Sequence, residues 1–94
     1  MELQSLFNQL AEKWREDTAC VSSISQLTEH PCYREIVSMG EAAVPLLIAE
    51  LRRGPEHWFT ALYLITGVDP VPSDKKGHLQ SMAKAWIDWY DSQP

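Results

Sequence analysis

A chain of 94 residues with 13 acidic and 8 basic side chains, for a formal charge of −5, has the size of one domain and lacks the basic face that proteins use to track a phosphate backbone. Its hydrophobic share of 45%, with four Trp, three Tyr and two Phe, is too high for a disordered chain. The longest apolar stretch, residues 42–49, is too short to cross a bilayer and contains Pro45, so no membrane span is expected.

Residues 3–17 read as an amphipathic helix. Leu3, Leu6, Phe7, Leu10, Ala11 and Trp14 recur at helical spacing, with Gln4, Gln9, Glu12, Lys13 and Glu16 on the wet side. The N-terminus, with its acid at Glu2 and no basic n-region, does not read as a signal peptide, and a cytoplasmic location is expected. In that compartment Cys20 and Cys32 are reduced thiols, expected to be buried as small hydrophobes. Residues 18–25 have no sustained period and read as a loop with room for one helical turn.

His30-Pro31 opens the second helix, because proline suits a first helical position whose N–H has no partner anyway. Tyr33, Ile36 and Val37 form its stripe, and Gly40 supplies a left-handed stop. Pro45 is tolerated only in a first turn, so the third helix starts at 41–44, with Val44, Leu47, Ile48 and Leu51 inward and Glu50, Arg52 and Arg53 outside or at the end. Gly54-Pro55 repeats the punctuation, a glycine cap and then proline at the start of a helix over 56–66. That helix is apolar nearly all round, as the most buried helix of a domain would be. Gly67 ends it. Residues 68–77 hold Pro70, Pro72 and three turn-forming polar residues and read as the one long loop. The last helix, 78–91, carries Leu79, Met82, Ala83, Trp86 and Tyr90 on one face. With no strand-period alternation, the chain is expected to be all-α, residues 1–94 forming a single domain of about five short helices packed as antiparallel hairpins.

Residues 39–67 resemble one HEAT-type helical repeat of the short bacterial kind. Gly40-Glu41-Ala42-Ala43-Val44-Pro45-Leu46-Leu47 opens the first helix and Leu51 closes it. After the turn come Ala61-Leu62 and Ile65-Thr66-Gly67. From Trp58 onward, through the proline loop to Trp86–Trp89, the chain is also similar to a set of short bacterial proteins with no known activity. The resemblance implies a HEAT- or armadillo-like right-handed superhelical arrangement that binds other proteins. The chain departs from the pattern at Trp58-Phe59, where such repeats commonly carry an arginine, and it holds no second clear copy.

Catalytic spacings are missing. The histidines His30, His57 and His78 and the two cysteines form no C-x-x-C, H-x-x-x-H or H-E-x-x-H pattern, and no cofactor or metal is expected. The loop with Lys75-Lys76 lacks the order that cradles phosphate. A helix-turn-helix over 34–51 would present Pro45 and then Leu46-Leu47-Ile48-Ala49, which leaves few polar side chains for base edges. The expectation is a non-catalytic protein–protein interaction module, with no nucleic acid and no membrane, binding another protein or a second copy of itself. The residues marked for that contact are Trp58, Trp86, Trp89 and Tyr90, of types enriched at interface hot spots. Two alternatives stand beside it. One is an acidic antitoxin- or inhibitor-like protein masking a basic partner; the other is a small hydrolase or metal enzyme using His30, Cys32 or His57.

Overall fold

A computed structural model describes residues 2–21, 23–54 and 56–93, and every regular element among them is helical. In chain order these are α1 (Leu3–Asp17), α2 (Ile24–Glu29), α3 (Pro31–Ser38), α4 (Val44–Arg53), α5 (Phe59–Thr66) and α6 (Leu79–Asp91), with 3-10 turns at Gly40–Ala43 and Ser73–Lys75. No described helix is long and apolar enough to cross a membrane. The described residues form six α-helices where the sequence pattern predicts about five. The addition is α2, whose six residues make fewer than two turns and so leave no readable period. It buries only Leu27 and is tied to α1 by the Trp14 indole, whose Nε1–H donates to the Leu27 carbonyl at 2.8 Å.

The stripes of α3 and α4 lie inward as their spacing requires. Cys32, Tyr33 and Ile36 are buried on α3, and Val44, Leu47, Ile48 and Leu51 on α4. Each large aliphatic side chain so buried stabilises the fold by about 1.5–3 kcal/mol. On α1 only Phe7, Ala11 and Trp14 are covered, while Leu3 and Leu6 stay exposed at its open end. Cys32 is buried as expected; Cys20, in the turn after α1, is exposed instead. Gly40 and Gly67 both have positive φ, 73° and 72°, the left-handed stops that the sequence required. Gly54 is extended at φ 171°, so it is no left-handed cap, and the expected helix-opening Pro55 lies outside the described residues.

The centre of the domain is α3, not the helix after Gly54. Helices α1, α2 and α5 all pack on α3, and α4 packs chiefly on α6. The pair α4 and α5, adjacent in sequence, touch each other less than each touches these partners. The 59–66 helix starts at Phe59 rather than at Glu56, since Glu56 is drawn to Arg15 and Trp58 takes the capping position. It is also buried on one side only: Phe59, Ala61 and Leu62 face the core, whereas Tyr63 and Leu64 are 52% and 58% exposed. At the junction of α1, α3 and α5 sits an aromatic cluster. The Trp58 ring lies 4.4 Å from Trp14, 6.1 Å from Phe7, and stacks on Tyr33 at 5.5 Å and 9°.

Trp58 has no side-chain oxygen with which to cap α5, and a hydroxyl from another helix stands in. The Tyr33 hydroxyl accepts from the Ala61 N–H and donates to the His57 carbonyl, both at 2.8 Å. Burial pushes the Tyr33 hydroxyl well above the ordinary tyrosine pKa, although the Ala61 amide opposes the shift.

Candidate functional site

The four aromatic residues marked for contact divide into two pairs. Trp58 and Trp86 are enclosed in the core: Trp58 lies among Phe7, Trp14 and Tyr33, and Trp86 belongs to α6, which packs on α4. Trp89 and Tyr90 are half-buried and, with Val44, Pro45, Thr66 and Val68, line an open groove of about 300 Å³. The Trp89 ring is set edge-on to Trp86 at 5.5 Å and 82°, so the core residue orients the surface one.

The outward face of α5, which carries none of the four marked aromatic residues, also presents large apolar side chains to water. Tyr63 and Leu64 stand on it one turn after Thr60, followed by exposed Val68. On one flank Tyr63 borders a second groove of about 330 Å³ with Phe59, Asp69, Val71, Met82 and Trp86. On the other flank Val68 borders the Trp89–Tyr90 groove. The loop between α5 and α6 is held close to this face: Val71 is buried, Asp69 accepts the Val71 N–H at 3.2 Å, and Lys76 pairs with Asp69. The signal was present in the sequence. A helix apolar on every side cannot be covered on every side in a domain of this size.

A polar clasp occupies the opposite end of α4. Glu50 was expected outside, yet its side chain is only 7% exposed. It is buried because two arginines neutralise it, Arg15 from α1 at 3.4 Å and Arg53 at 3.3 Å. The Arg15 guanidinium also grips Glu56 in bidentate fashion, Nε at 2.9 Å and Nη2 at 2.7 Å, which together with Glu50 holds Arg15 firmly charged. Two acids and two bases cancel here, so the depression they line is suited to joining α1 to α4 and not to gathering a charged ligand.

Of the residues in the hydrolase or metal reading, His30 meets Cys32 at the Cys32 backbone N–H. His30 caps α3: its Nδ1 accepts the Cys32 backbone N–H at 3.0 Å, and its Nε2 lies 2.9 Å from Asp17. The Cys32 thiol is not in that contact, and burial pushes its pKa up, away from the thiolate that nucleophilic attack requires. His57 lines a groove of about 570 Å³ between the end of α1 and the start of α6, with Trp14, Val21, Leu27 and Leu79. Among the described residues no three His, Cys, Asp or Glu side chains gather as metal ligands. No protein-family model, curated protein or solved structure matches this chain.

Proposed function

We propose that this chain is a non-catalytic helical interaction module that binds another protein through the outer face of α5 and its flanking grooves. The observation that carries the reading is the exposure of Tyr63 and Leu64, 52% and 58%, on a helix whose other side is core. Large apolar side chains kept in water on a helix whose end, at Thr66, borders the groove of half-buried Trp89 and Tyr90 are the composition of an interface centre. The HEAT-like pattern of residues 39–67 supports the same reading. So does the packing of alternate helices, α1 and α5 on α3 and α4 on α6, since stacked helical repeats pack equivalent helices on one another.

The test is affinity capture from cell lysate, with the unmodified chain compared against Leu64→Glu and Tyr63→Asp. Both substitutions lie on exposed positions and should alter stability by no more than about 0.5 kcal/mol. Capture of one partner by the unmodified chain and its loss with both variants is the expected outcome. Equal capture by all three, or none by any, would overturn the proposal.

A further inference from the structure

His30 stands where three helices meet. It ends α2 and begins α3, and its ring reaches Asp17, the last residue of α1. The side chain is 15% exposed, so its two nitrogens depend on protein partners. The Cys32 N–H can only donate, and it points at Nδ1 from 3.0 Å, so Nδ1 is the bare nitrogen and Nε2 carries the proton donated to Asp17. The two contacts fit one tautomer of the ring, with the proton on Nε2.

We infer that His30 is a protonation-sensitive latch: on taking a second proton its ring releases the Cys32 amide, keeps Asp17, and loosens the joint between α2 and α3. The new proton must go to Nδ1, the ring nitrogen that carries no hydrogen, where it confronts the Cys32 N–H donor to donor. An imidazolium at the start of α3 also meets the positive end of that helix. Asp17 holds the ring from the other side, because a carboxylate binds an imidazolium more strongly than a neutral ring. The charged and titratable groups around the joint are Lys13, Glu16 and Asp17 on α1, Glu29 at the end of α2, and Cys32, Arg34 and Glu35 in the first turns of α3. Lys13 shares the same Asp17 oxygen at 3.0 Å, so the imidazolium competes with an ammonium already in place.

The joint matters because α2 has few other ties. Besides the buried Leu27 side chain and its packing on α3, α2 is held by the Trp14–Leu27 hydrogen bond, and Leu27 with Val21 forms one wall of the 570 Å³ groove. Loosening α2 therefore changes the shape of that groove.

Long-range 1H–15N spectra of the histidine rings, assigned with His57→Gln and His78→Gln, test the starting state. The expected pattern is a protonated Nε2 and a bare Nδ1 on His30 at neutral pH. As pH is lowered, the Cys32 amide should shift together with the His30 ring. Its exchange protection, corrected for intrinsic rate, should fall by about fivefold, the scale of a lost helix cap. His30→Asn provides an acceptor that does not titrate, and its Cys32 amide should be flat as pH is lowered. A proton on Nδ1 at neutral pH would overturn the inference. So would a Cys32 amide that keeps its shift and protection while the His30 ring is protonated, or one that titrates equally in His30→Asn. Should His30→Asn fail to fold, the ring and amide measurements on the natural chain still decide.

Discussion

Trp14 and Trp58 lie 4.4 Å apart in one aromatic cluster and are both buried, yet replacing each by phenylalanine should have different results. The Trp14 Nε1–H donates to the Leu27 carbonyl at 2.8 Å, while the Trp58 Nε1, equally enclosed, has no partner among the described residues. Either substitution removes about 40 Å³ of side chain, which at about 24 cal/mol per Å³ of cavity is a loss of about 1 kcal/mol. Trp58→Phe also eliminates a desolvated, unpaired donor, a gain of about 1–3 kcal/mol, so the variant should be between neutral and about 2 kcal/mol more stable. Trp14→Phe instead strands the Leu27 carbonyl and should lose about 2–4 kcal/mol in all. At about 4–8 °C per kcal/mol, the melting temperatures of the two variants should differ by about 10 °C or more. Urea unfolding followed by far-UV circular dichroism, with calorimetry for Tm, measures both. If Trp58→Phe loses as much stability as Trp14→Phe, the reasoning from the unpaired indole is wrong.

Three further perturbations follow from the polar contacts. Arg15→Ala leaves Glu50 buried with only Arg53 beside it and should destabilise by about 1–3 kcal/mol, discounted because Arg15 is itself one-third exposed. Glu50→Gln made on top of Arg15→Ala should then restore part of the loss, as a double-mutant cycle in urea would report. Tyr33→Phe unpairs the His57 carbonyl and the Ala61 amide at once and should lose about 1–3 kcal/mol. Because burial raises the Tyr33 pKa in the folded state, its contribution is complete below the unfolded value of about 10 and is lost as pH rises through the folded one. The alkaline limb of the stability curve should therefore be flatter in Tyr33→Phe than in the natural chain. At the acid end the sign reverses. Lys13 and then His30 hold Asp17 below the usual carboxylate range, and Lys76 and then the Val71 amide do the same for Asp69. The stabilisation from both is present above that range and disappears as pH falls through the lowered values, so Asp69→Asn should flatten the acid limb in urea midpoints taken from pH 7 to 3.

Helical class, the stripes of α3 and α4, and the stops at Gly40 and Gly67 were legible in the sequence because each depends on residues within a turn or two of one another. The candidate surface was half legible: Trp89 and Tyr90 border a groove, but Trp58 and Trp86 are enclosed. Residue type says how much a side chain gains by burial, and it does not say which neighbour arrives to cover it.

Tertiary structure alone decided the rest. A tyrosine on α3 caps α5 from 28 residues away, and Arg15 reaches across 41 residues to Glu56, drawing that residue out of the helix its sequence suggested. Glu50 is inside because two arginines converge on it, and Tyr63 and Leu64 are outside because α3 occupies only one flank of α5. The sequence by itself determined which faces are apolar, through the 3.6-residue period of the helix. Which of those faces meet was settled by the packing of separate helices, and that choice left Tyr63 and Leu64 in water.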